Sequence, residues 1–392
     1  MSDPYITSPP RILHVDDDEK ILRDVAEFLQ DEEIAGWGRP TVVSVPGFDH
    51  ALEMLEQQRF DLVILDVRLG EHEDADLPVP DEAGVATLEQ IRQRRFVPIV
   101  FWTGLPKTVE HLEDSLVSVR EKTSGLKTLL KAVRDQFATR LPLVNRALLR
   151  LVEEQQRRYM WDFVAKNWNG LDSGDDQTAL AYLLARRLGQ SLTSPALQQL
   201  AADLGDTSGL FPASETIHPV EMYIQPPLPG RLQAGDLLRE SHENGDRWSM
   251  VLTPACDLEW DKAELVLLAS GGSIETHPRV IAWRADEGSA KQKKKARDEL
   301  HELLRQATGG QLDRWLYLPA AIAVPDLLID MQQLRAVSPD EAATMDRVAS
   351  LDSPFAESAV NRFNRYFGRI GTPDLDPEAI VKRLTQTPPA SD

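Results

Sequence analysis

The chain has 392 residues, 42% apolar and 27% charged, which is enough for two or three globular domains each with its own core. Its 43 Lys+Arg against 63 Asp+Glu give a formal charge of −20, a field that repels phosphate backbones and anionic membrane surfaces, so nucleic acid is not an expected partner. One cysteine excludes an intrachain disulfide and a cysteine-rich zinc module.

From Arg11 to about Thr139, short apolar runs alternate with stretches of helical period. The predicted strands are Ile12–Val15, Thr41–Val45, Leu62–Leu65, Ile99–Trp102 and Leu116–Val119. Helices are predicted over Glu19–Gln30, Phe48–Gln58, Ala83–Arg94, a short Val109–Asp114, and Ser124–Phe137. Five strands each followed by a helix predict an α/β unit with a flavodoxin-like, doubly wound parallel sheet over residues 11–139. The acidic, proline-containing stretch Gly70–Asp81 reads as a long loop after the third strand.

Past Leu141 the period lengthens. Val144–Trp168, Gln177–Leu188 and Ser194–Leu204 read as amphipathic helices, a connector over residues 141–205. A helix-turn-helix reading of the last two lacks a basic recognition face. After Gly205–Ser214, short β-prone segments follow at Glu221–Gln225, Asp236–Arg239, Trp248–Thr253 and Leu265–Leu268, separated by Pro/Gly turns. They predict a small β-barrel or meander inside an α+β domain over residues 206–386. A basic helix at Lys291–Thr308, strands at Trp315–Leu318 and Ile322–Val324, and a helix at Glu357–Phe367 complete it, and the tail past Gln386 is expected to fray. No apolar run approaches the roughly 20 residues of a membrane span, and Met1–Arg11 has no signal-peptide core, so a reduced, cytoplasmic protein without membrane contact is expected.

The chemistry gathers at strand ends. Asp16 and Asp17 follow the first strand and Asp66 the third, and in a doubly wound sheet these carboxyl ends share one edge, where ligands bind. Carboxylates brought together raise one another's pKa, and a hard divalent cation such as Mg2+ relieves the repulsion with oxygen ligands. Thr103 ends the fourth strand and Lys122 follows the fifth, adding a hydroxyl and an ammonium to the same edge. That set suits phosphoryl transfer to a carboxylate, with Asp66 as nucleophile and Lys122 and Thr103 holding the phosphoryl oxygens. Taken singly, Asp16–Asp18 also reads as an N-cap run for the helix that follows.

The stretches Ile12-Leu-His-Val-Asp16-Asp17-Asp18, Asp61-Leu-Val-Ile-Leu-Asp66-Val, Pro98-Ile-Val-Phe-Trp-Thr103-Gly and Lys122 resemble the receiver domain of bacterial two-component response regulators. The resemblance covers about the first third of the chain. It implies that Asp66 is the phosphoacceptor and that Asp17, Asp66 and the backbone carbonyl of Arg68 ligate Mg2+, with Asp16 acting through water. It implies a histidine kinase or phosphotransfer protein as donor and a protein that takes the output. The sequence departs from the pattern at Thr123, where proline is usual, and at Val119, where an aromatic switch residue is usual. The stretch between Thr103 and Lys122 is also short, which implies a reduced fourth helix. The acidic residues Glu71, Glu73, Asp74 and Asp76 beside Asp66 read either as a solvated loop or as a gate for the partner kinase.

For the remainder two classes stay open. One is a signalling protein whose connector helices form a homodimer or pack on their own domain, of the kind found beside receivers in bacterial defence phosphorelays such as Detocs. The other is a receiver-controlled effector enzyme with a nuclease- or hydrolase-like C-terminal domain. The segment Val251-Leu-Thr-Pro-Ala-Cys256-Asp257 offers a cysteine nucleophile with His218, His242 or His277 as base. The set His218, Glu221, Cys256 and Asp257 offers a metal site, and a buried structural cysteine is the plainer reading. Gly235-Asp236-Leu-Leu followed by Trp248-Ser-Met-Val faintly resembles the small barrels of toxin endoribonucleases.

Overall fold

The computed structural model describes residues 8–67, 83–167, 174–191, 200, 204, 217–243, 245–285, 288–305, 313–369 and 375–386. The chain divides into two compact units, Met1–Ala213 and Ser214–Asp392. The predicted Ser194–Leu204 helix, the Gly70–Asp81 loop and the tail past Gln386 lie outside the described residues, Leu200 and Leu204 apart.

In the first unit, β1 (Arg11–Val15), α1 (Glu19–Asp31), β2 (Thr41–Val45), α2 (Phe48–Gln57), β3 (Leu62–Leu65), α3 (Ala83–Arg94), β4 (Ile99–Thr103), α4 (Pro106–Val109), β5 (Val117–Glu121) and α5 (Leu126–Ala138) alternate along the chain. The five strands form one parallel sheet in the order β2-β1-β3-β4-β5, the flavodoxin-like arrangement. β3 and β4 are buried at every position, as strands covered on both faces must be. The two-residue period sorts their side chains. Leu13, Val15, Val63, Leu65 and Phe101 face Leu52 and Leu55 of α2 and Leu88 and Ile91 of α3. Ile12, Ile64, Val100 and Trp102 face Val25 and Leu29 of α1 and Leu129 and Val133 of α5. Each buried aliphatic contributes about 1.5–3 kcal/mol.

The fourth helix is reduced as the spacing predicts. Pro106–Val109 makes one turn, followed by a 3-10 turn at Glu110–Leu112 in place of the Val109–Asp114 helix. α6 (Leu141–Tyr159) continues through a π turn at Met160–Val164, and α7 spans Gly174–Ser191. A charge holds α6 to the sheet. The Arg146 guanidinium donates to both oxygens of Asp61 at 2.6 and 2.5 Å and to the carbonyls of Ser8 and Pro9 at 2.8 and 3.0 Å. It also lies over the Trp37 ring at 4.8 Å, and both charged partners are buried.

The second unit is a curled antiparallel sheet of seven strands in the order β10-β11-β9-β8-β7-β12-β6. These are β6 (Tyr223–Ile224), β7 (Asp236–Glu240), β8 (Arg247–Val251), β9 (Val266–Ser273), β10 (Trp315–Leu318), β11 (Leu327–Val337) and β12 (Asp346–Leu351). The edges are drawn together where the Tyr223 hydroxyl donates to the Pro319 carbonyl at 2.7 Å. Around the sheet lie α8 (Ala255–Glu259), α9 (Pro278–Arg284), α10 (Ala290–Leu304), α11 (Pro339–Ala343), α12 (Phe355–Phe367) and α13 (Pro377–Gln386). The expected Ile322–Val324 strand is a turn, closed by an Ala321–Val324 bridge with Ile322 exposed at φ 48°. Of the expected Glu221–Gln225 strand, Tyr223–Ile224 forms β6, while Glu221 and Met222 end a 3-10 turn that Pro219 starts and His218 caps. No helix of the described residues is long and apolar enough to cross a membrane.

Candidate functional site

The strand order reverses direction about β1 and β3, and the crevice beyond their carboxyl ends is where such sheets bind ligands. Asp16 follows β1, is fully buried, and accepts the Asp18 N–H at 3.1 Å. Asp66 follows β3, is buried, and accepts the N–H of Val67 at 2.7 Å. Asp17 is exposed, and one carboxylate oxygen each from Asp16, Asp17 and Asp66 lie within 4.8 Å of one another. Among the described residues this is the one such group of three or more potential metal ligands. The acidic run divides its labour. Asp18 caps α1, accepting from Lys20 and Ile21 N–H at 2.7 and 3.2 Å, while Asp16 and Asp17 belong to the acid group with Asp66.

Lys122 begins the turn after β5 and places its ammonium 2.6 Å from both Asp16 and Asp66. Burial disfavours its charge, but the hydrogen bonds to Asp16 and Asp66 prevail and hold its pKa above the usual lysine value. Burial pushes the Asp16 carboxyl up, against the pull of Lys122 and the Asp18 N–H. Thr103 is buried at the end of β4, where its hydroxyl oxygen accepts the Leu105 N–H at 3.1 Å and keeps its own proton free to donate. Instead of proline, Thr123 continues a 3-10 turn from Lys122 to Ser124, and Gly125 at φ 83° turns the chain into α5. Five of the six expected site residues are thus at one sheet edge or the turns beside it. Arg68 lies outside the described residues.

Residues 12–134 match the family model of the response regulator receiver domain. The first unit carries a receiver domain. No curated protein matches the chain. Among solved structures, the receiver domain of the Francisella response regulator 1452 shares 15% identity, covering 33% of this chain and 98% of that one at a TM-score of 0.26. The signal receiver domain of an HD domain-containing protein from Pseudomonas fluorescens shares 24% identity over 33% of this chain and 96% of that one, at a TM-score of 0.27. The response regulator TrrA from Thermotoga maritima, in complex with Mg2+ and BeF, shares 21% identity over 32% of this chain and 98% of that one, at a TM-score of 0.25.

One receiver residue escaped the sequence reading. His14, two positions before Asp16 on β1, is buried with neither ring nitrogen meeting a hydrogen-bond partner. Burial, with the nearby Lys122 ammonium, depresses its pKa to about 3. Its place inside the otherwise apolar, buried run Ile12-Leu13-His14-Val15 was the available signal.

Among the described residues of the second unit the expected metal set does not assemble. Cys256 is exposed on α8, its thiol 3.7 Å from Asp257, and His218 and His277 use Nδ1 to cap the turns at Val220 and Arg279. His218, Glu221, Cys256 and Asp257 form no metal-ligand group among the described residues, because His218 and Glu221 close a capping box on each other.

Proposed function

We propose that the chain is a response-regulator-like signalling protein that accepts a phosphoryl group on Asp66 from a histidine kinase or phosphotransfer protein. The observation that carries this reading is the trio Asp16, Asp66 and Lys122, joined by two 2.6 Å contacts at the switch-point edge of the sheet. An Asp66 carboxylate oxygen attacks the phosphorus of a phosphohistidine. The N–P bond breaks as the O–P bond forms, and the imidazole leaves as a neutral ring, protonated on its other nitrogen. Lys122 then exchanges its carboxylate contact for a phosphoryl oxygen, and the Thr103 hydroxyl donates to another.

Asp16, Asp17 and Asp66 are the oxygen donors that would hold Mg2+, a set that fits a hard cation. Bound there, Mg2+ supplies neutralisation of the charge on the transferring group. The domains we assign are the phosphoacceptor at residues 11–139, the connector at 141–205 and the output domain at 206–386. Output through protein contact is supported by the net charge of −20 and by large apolar side chains exposed on the connector, Trp161 at 69% and Tyr182 at 64%. A cytoplasmic bacterial phosphorelay, of the defence type, is the setting we propose.

Lys122→Ala and Thr103→Ala test the assignment. Each is expected to slow phosphoryl uptake from phosphoramidate by about 100-fold, the cost of one preorganised donor to a developing anion. The rate is read by the appearance of acid-labile phosphate, with folding checked by circular dichroism. Uptake at the wild-type rate in both variants contradicts the assignment.

A further inference from the structure

β9 and β11 pair from Leu327↔Ser273 to Ile329↔Gly271 and again from Leu334↔Ala269 onward. Between these stretches, Asp330 to Gln333 of β11 face the single residue Ser270. Bulges of this kind re-aim side chains and concentrate beside binding sites. Here the bulge borders a cavity of about 310 Å3, lined by the Ser270–Ser273 strand, Thr276, His277, Trp315, Asp330 and Gln333. Its volume is at the small end of the usual range for ligand sites, about 300–1,000 Å3.

We propose that this cavity binds a small uncharged ring compound of the nucleoside class. Charge excludes the alternatives. No lysine or arginine lines the cavity, and its one acid, Asp330, has both oxygens taken by Arg314 at 2.8 and 2.7 Å. A phosphate or an ammonium would enter without a free counter-charge and bear its desolvation uncompensated.

The lining instead presents neutral donors and acceptors. The Ser273 hydroxyl oxygen accepts from the Glu275 N–H at 3.3 Å, so its proton is free to donate. Thr276 donates to the Ser273 carbonyl at 3.0 Å, which leaves its lone pairs to accept. The Nδ1 of His277 accepts the Arg279 N–H at 3.3 Å, which fixes the tautomer and makes Nε2–H the available donor. Burial, with Arg279 and Arg314 nearby, lowers the His277 pKa and keeps the ring neutral. The Gln333 amide leans one N–H on Asp330 at 3.4 Å and keeps its carbonyl oxygen to accept. Alternating neutral donors and acceptors match the edge of a nucleobase and the hydroxyls of a ribose. Trp315 supplies the aromatic wall, held by the Arg314 guanidinium over its ring at 4.4 Å and by the edge of His277 at 5.2 Å.

Gly272 provides the variant that separates binding from folding. Gly272 lines the cavity, and a Cβ built there meets nothing within 4 Å, so the backbone accepts a first side-chain carbon at this position. The full chain is titrated calorimetrically with adenosine, guanosine, cytidine and uridine, with their 5′-monophosphates, and with glucose. At least one nucleoside is expected to saturate in the millimolar range or below, more tightly than its monophosphate and than glucose. Gly272→Val and Gln333→Ala are each expected to weaken it by about 10-fold or more, with an unchanged thermal midpoint. The proposal is overturned if no nucleoside saturates, if the monophosphate or glucose binds as well, or if both variants bind like the wild type.

Discussion

Arg146→Ala is expected to destabilise the first unit by about 3–5 kcal/mol, because it strands the buried Asp61 carboxylate without its counter-charge. The side chains of Arg146 and Asp61 are only 8% and 7% exposed, so solvent screens the pair little. The same guanidinium ties α6 to the carbonyls of Ser8 and Pro9, so its loss frees the helix as well as the charge. Urea denaturation of the wild type, Arg146→Ala, Asp61→Asn and the double variant gives a cycle whose coupling is expected at about 1–3 kcal/mol. Additive single effects, or a loss under about 1 kcal/mol in Arg146→Ala, would show that α6 is held by apolar packing instead.

The second large effect concerns pH. His14 titrates near 6.5 when unfolded and about 3 when folded, so the unfolded state takes up the proton first as pH falls. Its contribution to stability is therefore present above about pH 6.5 and is lost between that value and about pH 3, to a total on the order of 5 kcal/mol. His14→Leu keeps the volume and removes the proton site. The variant is expected to match or exceed the wild type at neutral pH, and the gap is expected to widen toward pH 4 in EDTA, where no cation enters the acid cluster. Parallel stability curves for the two proteins would contradict a neutral, buried His14.

The receiver was legible because its physics is local and repetitive. Leu62–Leu65 and Ile99–Trp102 are uninterrupted apolar runs, and Asp66 and Thr103 follow them directly, so each run and the polar residue after it can be read together. Lys122 was legible through its place after the fifth predicted strand, and its contacts to Asp16 and Asp66 belong to the fold. Arg146 and Asp61 were not legible as a pair, since 85 residues separate them and a lone arginine on an amphipathic helix reads as solvated.

The second unit was read less well for specific reasons. β11 is the longest strand, yet Asp330–Gln333 interrupts its apolar pattern at the bulge that opens the cavity. β12 carries only a short buried run, Ala349–Leu351, next to the charged Asp346 and Arg347. Conversely, Ile322-Ala-Val324 looked like a strand because β-branched residues favour one, but its backbone turns and leaves Ile322 at 87% exposure.

The central claim is that Asp66 accepts a phosphoryl group in a metal-assisted reaction. It is tested most directly by intact-protein mass after incubation with acetyl phosphate, with and without Mg2+, on wild type and Asp66→Asn. The account predicts one phosphoryl adduct on the wild type that requires Mg2+ and is lost both in the variant and on brief alkaline treatment, which cleaves an acyl phosphate. An adduct that persists in Asp66→Asn, or no adduct on the wild type from either acetyl phosphate or a histidine kinase, would contradict it.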